Sequence, residues 1–166
     1  QAGRDYHTVD ISERTLRDVY LPPFKAAVDE GVATFMTSFN EYDGVPASGS
    51  KFLLTDVLRD EWGFDGFVVT DYTSINEMVP HGYAKDLEQA GEQALNAGVD
   101  MDMQGAVFME NMVKSVEEGR VSQANIDRAV RRVLEMKYRL GLFEDPYRYA
   151  DEARQEATLY KPEFLE

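Results

Sequence analysis

The sequence predicts an α/β fold of parallel βα units, on three observations. Short apolar runs rich in β-branched and aromatic residues begin near positions 32, 66 and 99, a recurrence of about 33 residues. Between them lie segments whose apolar residues fall at helical spacing, and glycine closes each of those segments. Strand, helix and strand in alternation at this spacing implies parallel strands joined by right-handed crossovers. Such units build either an open doubly wound sheet or a closed barrel. A (β/α)8 barrel spends roughly 31 residues per unit, so three units with flanking helices read as part of a TIM-type barrel.

The elements follow in order. Ser12 caps a helix carrying Leu16, Val19, Tyr20, Phe24, Ala27 and Val28, which Pro22 and Pro23 must break or kink. Gly31 ends it, and Val32 to Phe39 reads as the first strand, opening into a polar loop from Asn40 to Gly49. Asp43-Gly44 is a tight turn and Pro46 stiffens its exit. Ser50 caps a helix with Leu54, Val57, Leu58 and Trp62 on one face, stopped by Gly63. Gly66 to Asp71 is the second strand. Leu87, Ala90, Ala94 and Leu95 mark a helix that Gly98 stops, and Val99 to Met103 alternates as the third strand. Two helices complete the pattern, one with Met109, Met112, Val113 and Val116, the other capped by Ser122 with Ile126, Val130, Val133, Leu134 and Tyr138. Met109 and Met112 read as core filler, and Glu117-Glu118 and Arg131-Arg132 as solvated helix faces. Residues 1–143 form the partial barrel domain in this reading, and 144–166, charged and poor in apolar residues, a linker.

Composition bounds the partners. A chain of 166 residues, 43% apolar, can bury a core as one domain. Its formal charge of −14 repels phosphate backbones and anionic lipid, so neither nucleic acid nor membrane is expected as a partner. No apolar run reaches the roughly 20 residues that span a bilayer. With no cysteine and only two histidines, His7 and His81, the chain lacks ligand-spaced sets for a transition metal. Neither glycine-rich phosphate loop nor serine-centred nucleophile elbow is present. No metal and no cofactor are expected.

The strongest chemical signal is an apolar strand that runs into a carboxylate, Gly66-Phe67-Val68-Val69-Thr70-Asp71, followed by Tyr72. Chemistry in parallel α/β folds gathers at the carboxyl ends of strands. A carboxylate there serves as a nucleophile or acid, and a neighbouring aromatic ring stacks on the C–H face of a sugar. Asp71 could equally cap the helix that follows. The loop after the first strand leaves at the same end and offers Asn40 as a contact. Asp100 and Asp102 share one strand face, either as catalytic acids or as hydrogen-bonded interior ones.

The order of Gly3-Arg4-Asp5-Tyr6, Tyr20-Leu21-Pro22-Pro23-Phe24, Met36-Thr37-Ser38-Phe39-Asn40-Glu41, Leu53 to Arg59, Trp62-Gly63-Phe64, Gly66 to Asp71 and Ala97 to Met103 resembles the family 3 glycoside hydrolases. It is most similar to their bacterial β-glucosidase branch. The likeness continues through Arg131 to Leu134, Leu140 to Phe143 and Asp145-Pro146-Tyr147, and so covers nearly the whole chain.

The resemblance implies the carboxyl-terminal part of a catalytic barrel domain, from an enzyme that hydrolyses terminal β-linked glucosyl residues with retention. Asp71 would be its nucleophile, with Thr70 where serine is usual. Tyr72 and Phe39 would border the sugar, Phe39 standing where some members carry tyrosine, and Asn40 would complete the substrate contacts. In the family a Lys-His-Phe segment that holds sugar hydroxyls would precede Gln1, and the general acid comes from a later domain. The chain alone is therefore expected to be nearly inactive, and to self-associate or to pair with the remainder of its enzyme through exposed sheet edges. Bacterial relatives are exported or periplasmic. Two other readings stay open: a carbohydrate-binding or assembly module without catalysis, and a barrel isomerase or aldolase working through Asp100 and Asp102.

Overall fold

A computed structural model of the chain describes residues 4–164. Gly3 of the Gly3–Tyr6 run and the last two residues of the tail lie outside the described residues. The chain divides into a unit ending at Val133 and a second unit from Leu134 onward.

In the first unit the predicted parallel arrangement is present in shortened form. Strand β2 (Thr34–Met36) pairs in parallel with β5 (Phe67–Val69), Thr34 opposite Phe67 and Met36 opposite Val69. The third expected strand, Val99 to Met103, is reduced to one parallel bridge between Val69 and Met101. Side chains capture the amides that a continuing ladder would use. The Val68 N–H goes to the Asp100 carboxylate at 2.9 Å, the Met103 N–H to the Thr70 hydroxyl at 2.8 Å, and the Tyr72 N–H to its neighbour Asp71 at 2.6 Å. Backbone bonds persist between the two segments, from the Thr70 N–H to the Met101 carbonyl at 3.0 Å and from the Asp100 N–H to the Val68 carbonyl at 2.9 Å, so the polar side chains shorten the ladder without replacing it.

A second small sheet was not expected from the sequence. Here β1 (Thr8–Val9) lies parallel to β3 (Glu41–Tyr42), which turns antiparallel into β4 (Val45–Pro46). The stretch read as a polar loop is therefore partly a hairpin. Asp43 and Gly44 both take positive φ, 53° and 74°, as the two-residue turn that matches strand twist requires.

The helices follow the apolar spacing. A three-residue turn, α1 (Glu13–Thr15), starts under the Ser12 cap, whose hydroxyl accepts the Thr15 N–H at 3.1 Å, and widens into a π turn over Leu16–Tyr20. Helix α2 (Pro22–Asp29) restarts with both prolines in its first turn, where no N–H is needed. The helix after Ser50 is π-wound over Phe52–Glu61, with the Trp62 N–H reaching back to the Val57 carbonyl. After β5 come α3 (Ser74–Glu77), α4 (Leu87–Ala97), α5 (Val107–Glu117) and α6 (Gln123–Arg139). Asp86 caps α4 and Gly98 ends it in the left-handed region.

The core packs Val68 of β5 against Leu54 and Leu58 of the π helix, Ala90 and Ala94 of α4, and Ile75, Met78, Val99 and Val107. Small residues on α4 let it approach closely. A side chain at Gly66 would meet the Ala33 carbonyl at 2.1 Å, so β5 can begin beside β2 only with glycine there.

Two surface readings need correction. Met112 is core, but Met109 is 79% exposed, because the two lie three residues apart across the edge of the buried face of α5. Arg132 is not on a solvated face: its guanidinium reaches the buried Asp100. The second unit holds α7 (Glu152–Thr158), capped by Asp151, and the Tyr149 hydroxyl donates to the Leu140 carbonyl at 3.1 Å. The segment read as a linker thus contains a helix. No helix among the described residues is long and apolar enough to cross a membrane.

Candidate active site

Asp71 stands two residues beyond β5, at the carboxyl end of the parallel pair, and is partly exposed. Its Oδ1 accepts the Tyr72 N–H, and its carbonyl accepts the N–H of Ser74 in α3. One carboxylate oxygen is thereby oriented by the backbone. Beneath it the chain is rigid. Thr70 is wholly buried, and its hydroxyl holds Met103. Thr73 takes a left-handed conformation with φ 58°, and its N–H donates to the Met103 carbonyl at 3.0 Å. A positive φ at a threonine persists only where the surroundings impose it.

A buried hydroxyl triad ties the elements that meet there. Thr37 after β2, Ser48 after β4 and Ser74 at the start of α3 lie within hydrogen-bond reach of one another, Ser48 at 2.7 Å from each of the other two. The Thr37 N–H also donates to the Val69 carbonyl, so the chain leaving β2 and the chain leaving β5 are held side by side.

The other residues singled out from the sequence fall in distinct places. Tyr72 is 57% exposed next to Asp71. Phe39 is buried, and the ring that covers it is Tyr6, stacked at 4.2 Å with 19° between planes. The Asn40 amide donates to the carbonyls of Arg4 at 2.9 Å and His7 at 3.2 Å. It clamps the amino-terminal segment over this end of the sheet.

The pairing of Glu41 with His81 was not anticipated. The His81 Nδ1 lies 2.5 Å from Glu41 Oε1, and the Thr8 hydroxyl donates to Oε2 at 3.0 Å. Both carboxylate oxygens are engaged, and the pair joins the hairpin to the segment that follows α3. A lone histidine carries no spacing signal, and only the fold supplies its partner. The hydrogen bond with His81 is the main reason the Glu41 carboxyl lies below its usual value, with burial opposing and Thr8 assisting. A carboxyl lowered in the fold stabilises above its unfolded value, and that stabilisation is lost as pH falls through the folded one. Glu41→Gln is therefore expected to lower the thermal midpoint near pH 7, and the gap to the unsubstituted chain should close towards pH 3. A gap that stays constant across a series of melts from pH 3 to 7 would remove this role.

Asp100 and Asp102 are not a catalytic pair. Asp100, with its side chain 2% exposed, accepts from Arg59 at 2.6 Å, from Arg132 at 2.8 Å and from the Val68 N–H. Arg59 also donates to the carbonyls of Phe64 and Gly66, which places this cluster towards the start of β5, away from Asp71. Asp102 accepts the Val107 N–H at 2.7 Å at the first turn of α5. Asp100 is engaged on both oxygens in holding structure, whereas Asp102 holds α5 through Oδ2 alone and its Oδ1 is buried without a partner among the described residues, so the isomerase or aldolase reading loses Asp100.

Comparison with known proteins follows the same lines. Residues 1–136 match the model of the glycosyl hydrolase family 3 N terminal domain. The chain is 44% identical over 147 residues, 89% of its length, to a periplasmic beta-glucosidase of Salmonella typhimurium, and covers 19% of that relative. It is 42% identical over 144 residues, 81% of its length, to a beta-xylosidase of Formosa agariphila, of which it covers 20%. The solved structure of a mutant beta-glucosidase from Listeria innocua in complex with laminaribiose superposes over 98% of the chain and 22% of that protein, with a TM-score of 0.92 at 38% identity. The chain thus spans about a fifth of the length of the relatives it matches. With the parallel units and this match over most of its length, the chain belongs to glycosyl hydrolase family 3, in the N-terminal domain of that family.

Proposed function

We propose that the chain is the carboxyl-terminal stretch of the barrel domain of a longer, exported β-glycosidase that acts with retention on terminal β-linked glucosyl residues, and that Asp71 is its nucleophile. The observation that carries this reading is the placement of Asp71: a partly exposed carboxylate at the mouth of a buried parallel strand, with one oxygen held by a backbone N–H. In the reaction the free oxygen attacks the anomeric carbon as the C1–O bond breaks. A second carboxyl group, supplied from outside this chain, gives its proton to the leaving oxygen. Water then adds to C1, returns a proton to that group and releases Asp71.

Tyr72 would stack on the sugar, and Asn40 and Phe39 would shape the site from behind by holding the 4–7 segment. Residues 144–166 would lead towards a following domain. Met36 on β2 is 52% exposed, next to an apolar groove of about 660 Å³ lined by Phe24, Phe35 and Leu54. The remaining strands of the barrel would cover that face, with self-association of the isolated chain as the alternative.

The test is to incubate the full-length protein with a 2-deoxy-2-fluoro-β-glucoside bearing an activated leaving group. A stable adduct is expected on the peptide containing Asp71. Turnover with the adduct on another residue would overturn the assignment, and binding of β-glucosides without turnover or adduct would favour a carbohydrate-binding module.

A further inference from the structure

We infer that Tyr6 is a substrate-contacting residue of this site, its ring forming one wall and its hydroxyl reaching a sugar hydroxyl. The inference rests on the reading of Asp71 given above.

The geometry is specific. The Tyr6 ring lies face to face on Phe39 at 4.2 Å, yet Tyr6 itself is 54% exposed. One face packs on the protein and the other is open. Phe39 follows β2, whose last pairing sets Met36 opposite Val69 and whose next residue, Thr37, still donates its N–H to the Val69 carbonyl, two residues before Asp71. Two half-exposed tyrosine rings thus stand at the same strand ends as the candidate nucleophile.

Tyr6 is also held in place. Its φ is 53°, a left-handed conformation that a bulky residue takes only under constraint. Its N–H donates to the Asp5 carboxylate at 3.0 Å, and the flanking carbonyls of Arg4 and His7 are gripped by Asn40. The parallel pairing of β1 on β3 anchors the chain just beyond. An exposed ring fixed by this many contacts is ordered before a ligand arrives, so little freedom is lost on binding.

The charge around the hydroxyl supports the same role. Burial raises the phenol above its usual value, and the carboxylates of Glu77, Asp5 and Asp71 raise it further. The hydroxyl is a donor that can reach a neutral polyol.

The test uses the full-length protein with Tyr6→Phe and Tyr6→Ala, β-glucosides that each lack one ring hydroxyl, and the fluorinated glucoside. Tyr6→Phe is expected to raise KM about fivefold, the worth of one hydrogen bond, with little change in kcat. The rise should vanish for the one deoxy substrate that lacks the contacted hydroxyl. Tyr6→Ala should lower kcat/KM by about 30-fold or more, as stacking is lost as well. A Tyr6→Phe variant that matches the parent on every substrate, or loses the same factor on all of them, would overturn the proposal. Should Tyr6→Ala fail to fold, Tyr6→Phe alone decides. If the adduct still forms on Asp71 while KM does not move, only the role of Tyr6 falls. If the adduct forms elsewhere, the reading of Asp71 falls first.

Discussion

Asp71→Gly in the full-length protein is expected to lower kcat for aryl β-glucosides by on the order of 10³-fold or more, about 4 kcal/mol of barrier or more, with the thermal midpoint nearly unchanged. The stability half of the expectation follows from the site. Asp71 is partly exposed, and its side chain accepts the Tyr72 N–H, so water can replace the lost acceptor. The rate half follows from the mechanism, because without the carboxylate no covalent intermediate forms. A glycine also leaves room for a small anion, and added azide or formate should restore part of the rate, giving a product of inverted anomeric configuration. A variant that keeps more than a tenth of the parent activity would show that the nucleophile is another residue.

Asp100→Ala should have the largest effect on stability, a loss of about 3–5 kcal/mol. Two guanidinium groups converge on one carboxylate whose side chain is 2% exposed, and the Arg59 side chain beside it is 9% exposed. Burial already pushes the Arg59 guanidinium down to about 10, against the attraction of Asp100 and with the nearby charges of Arg132 and Arg128 adding to the strain. Removing the carboxylate leaves the buried cation with carbonyl partners only, and also orphans the Val68 N–H. Asp100→Asn, which retains an oxygen acceptor for one of these donors, should lose less. Denaturant unfolding of the chain measures both. A cost below about 1 kcal/mol for the alanine variant would mean that solvent reaches the cluster and that it does not hold the sheet to α6 and the π helix.

The candidate site was partly legible in the sequence. Asp71 and Tyr72 could be picked out because a short apolar strand bounded by Gly66 leads into them, and a strand end is a local property of the chain. Asn40 was legible as a polar residue after a strand but not as the clamp on Arg4 and His7, a contact across more than 30 residues. Phe39 was legible as an aromatic near the site, whereas the ring over it, Tyr6, belongs to a segment without periodic pattern. Asp100 read equally well as catalytic or structural, since alternation in a strand reports a face and not what lies opposite. Arg132 read as surface because it sits in a charged run, yet its guanidinium extends inward to Asp100.

Local patterning determined that β2 and β5 form and run parallel, that the main helices fall between and after them, and that a carboxylate follows the second of these strands. These follow from apolar spacing, caps and glycine positions, all short-range along the chain. Only the tertiary structure decided how long each strand remains paired, which acid is neutralised, and which ring packs on Phe39. Those outcomes turn on competition for individual N–H groups between side chains and neighbouring strands, and on charges brought together from positions 59, 100 and 132. Distances of that kind exist only once the chain has folded.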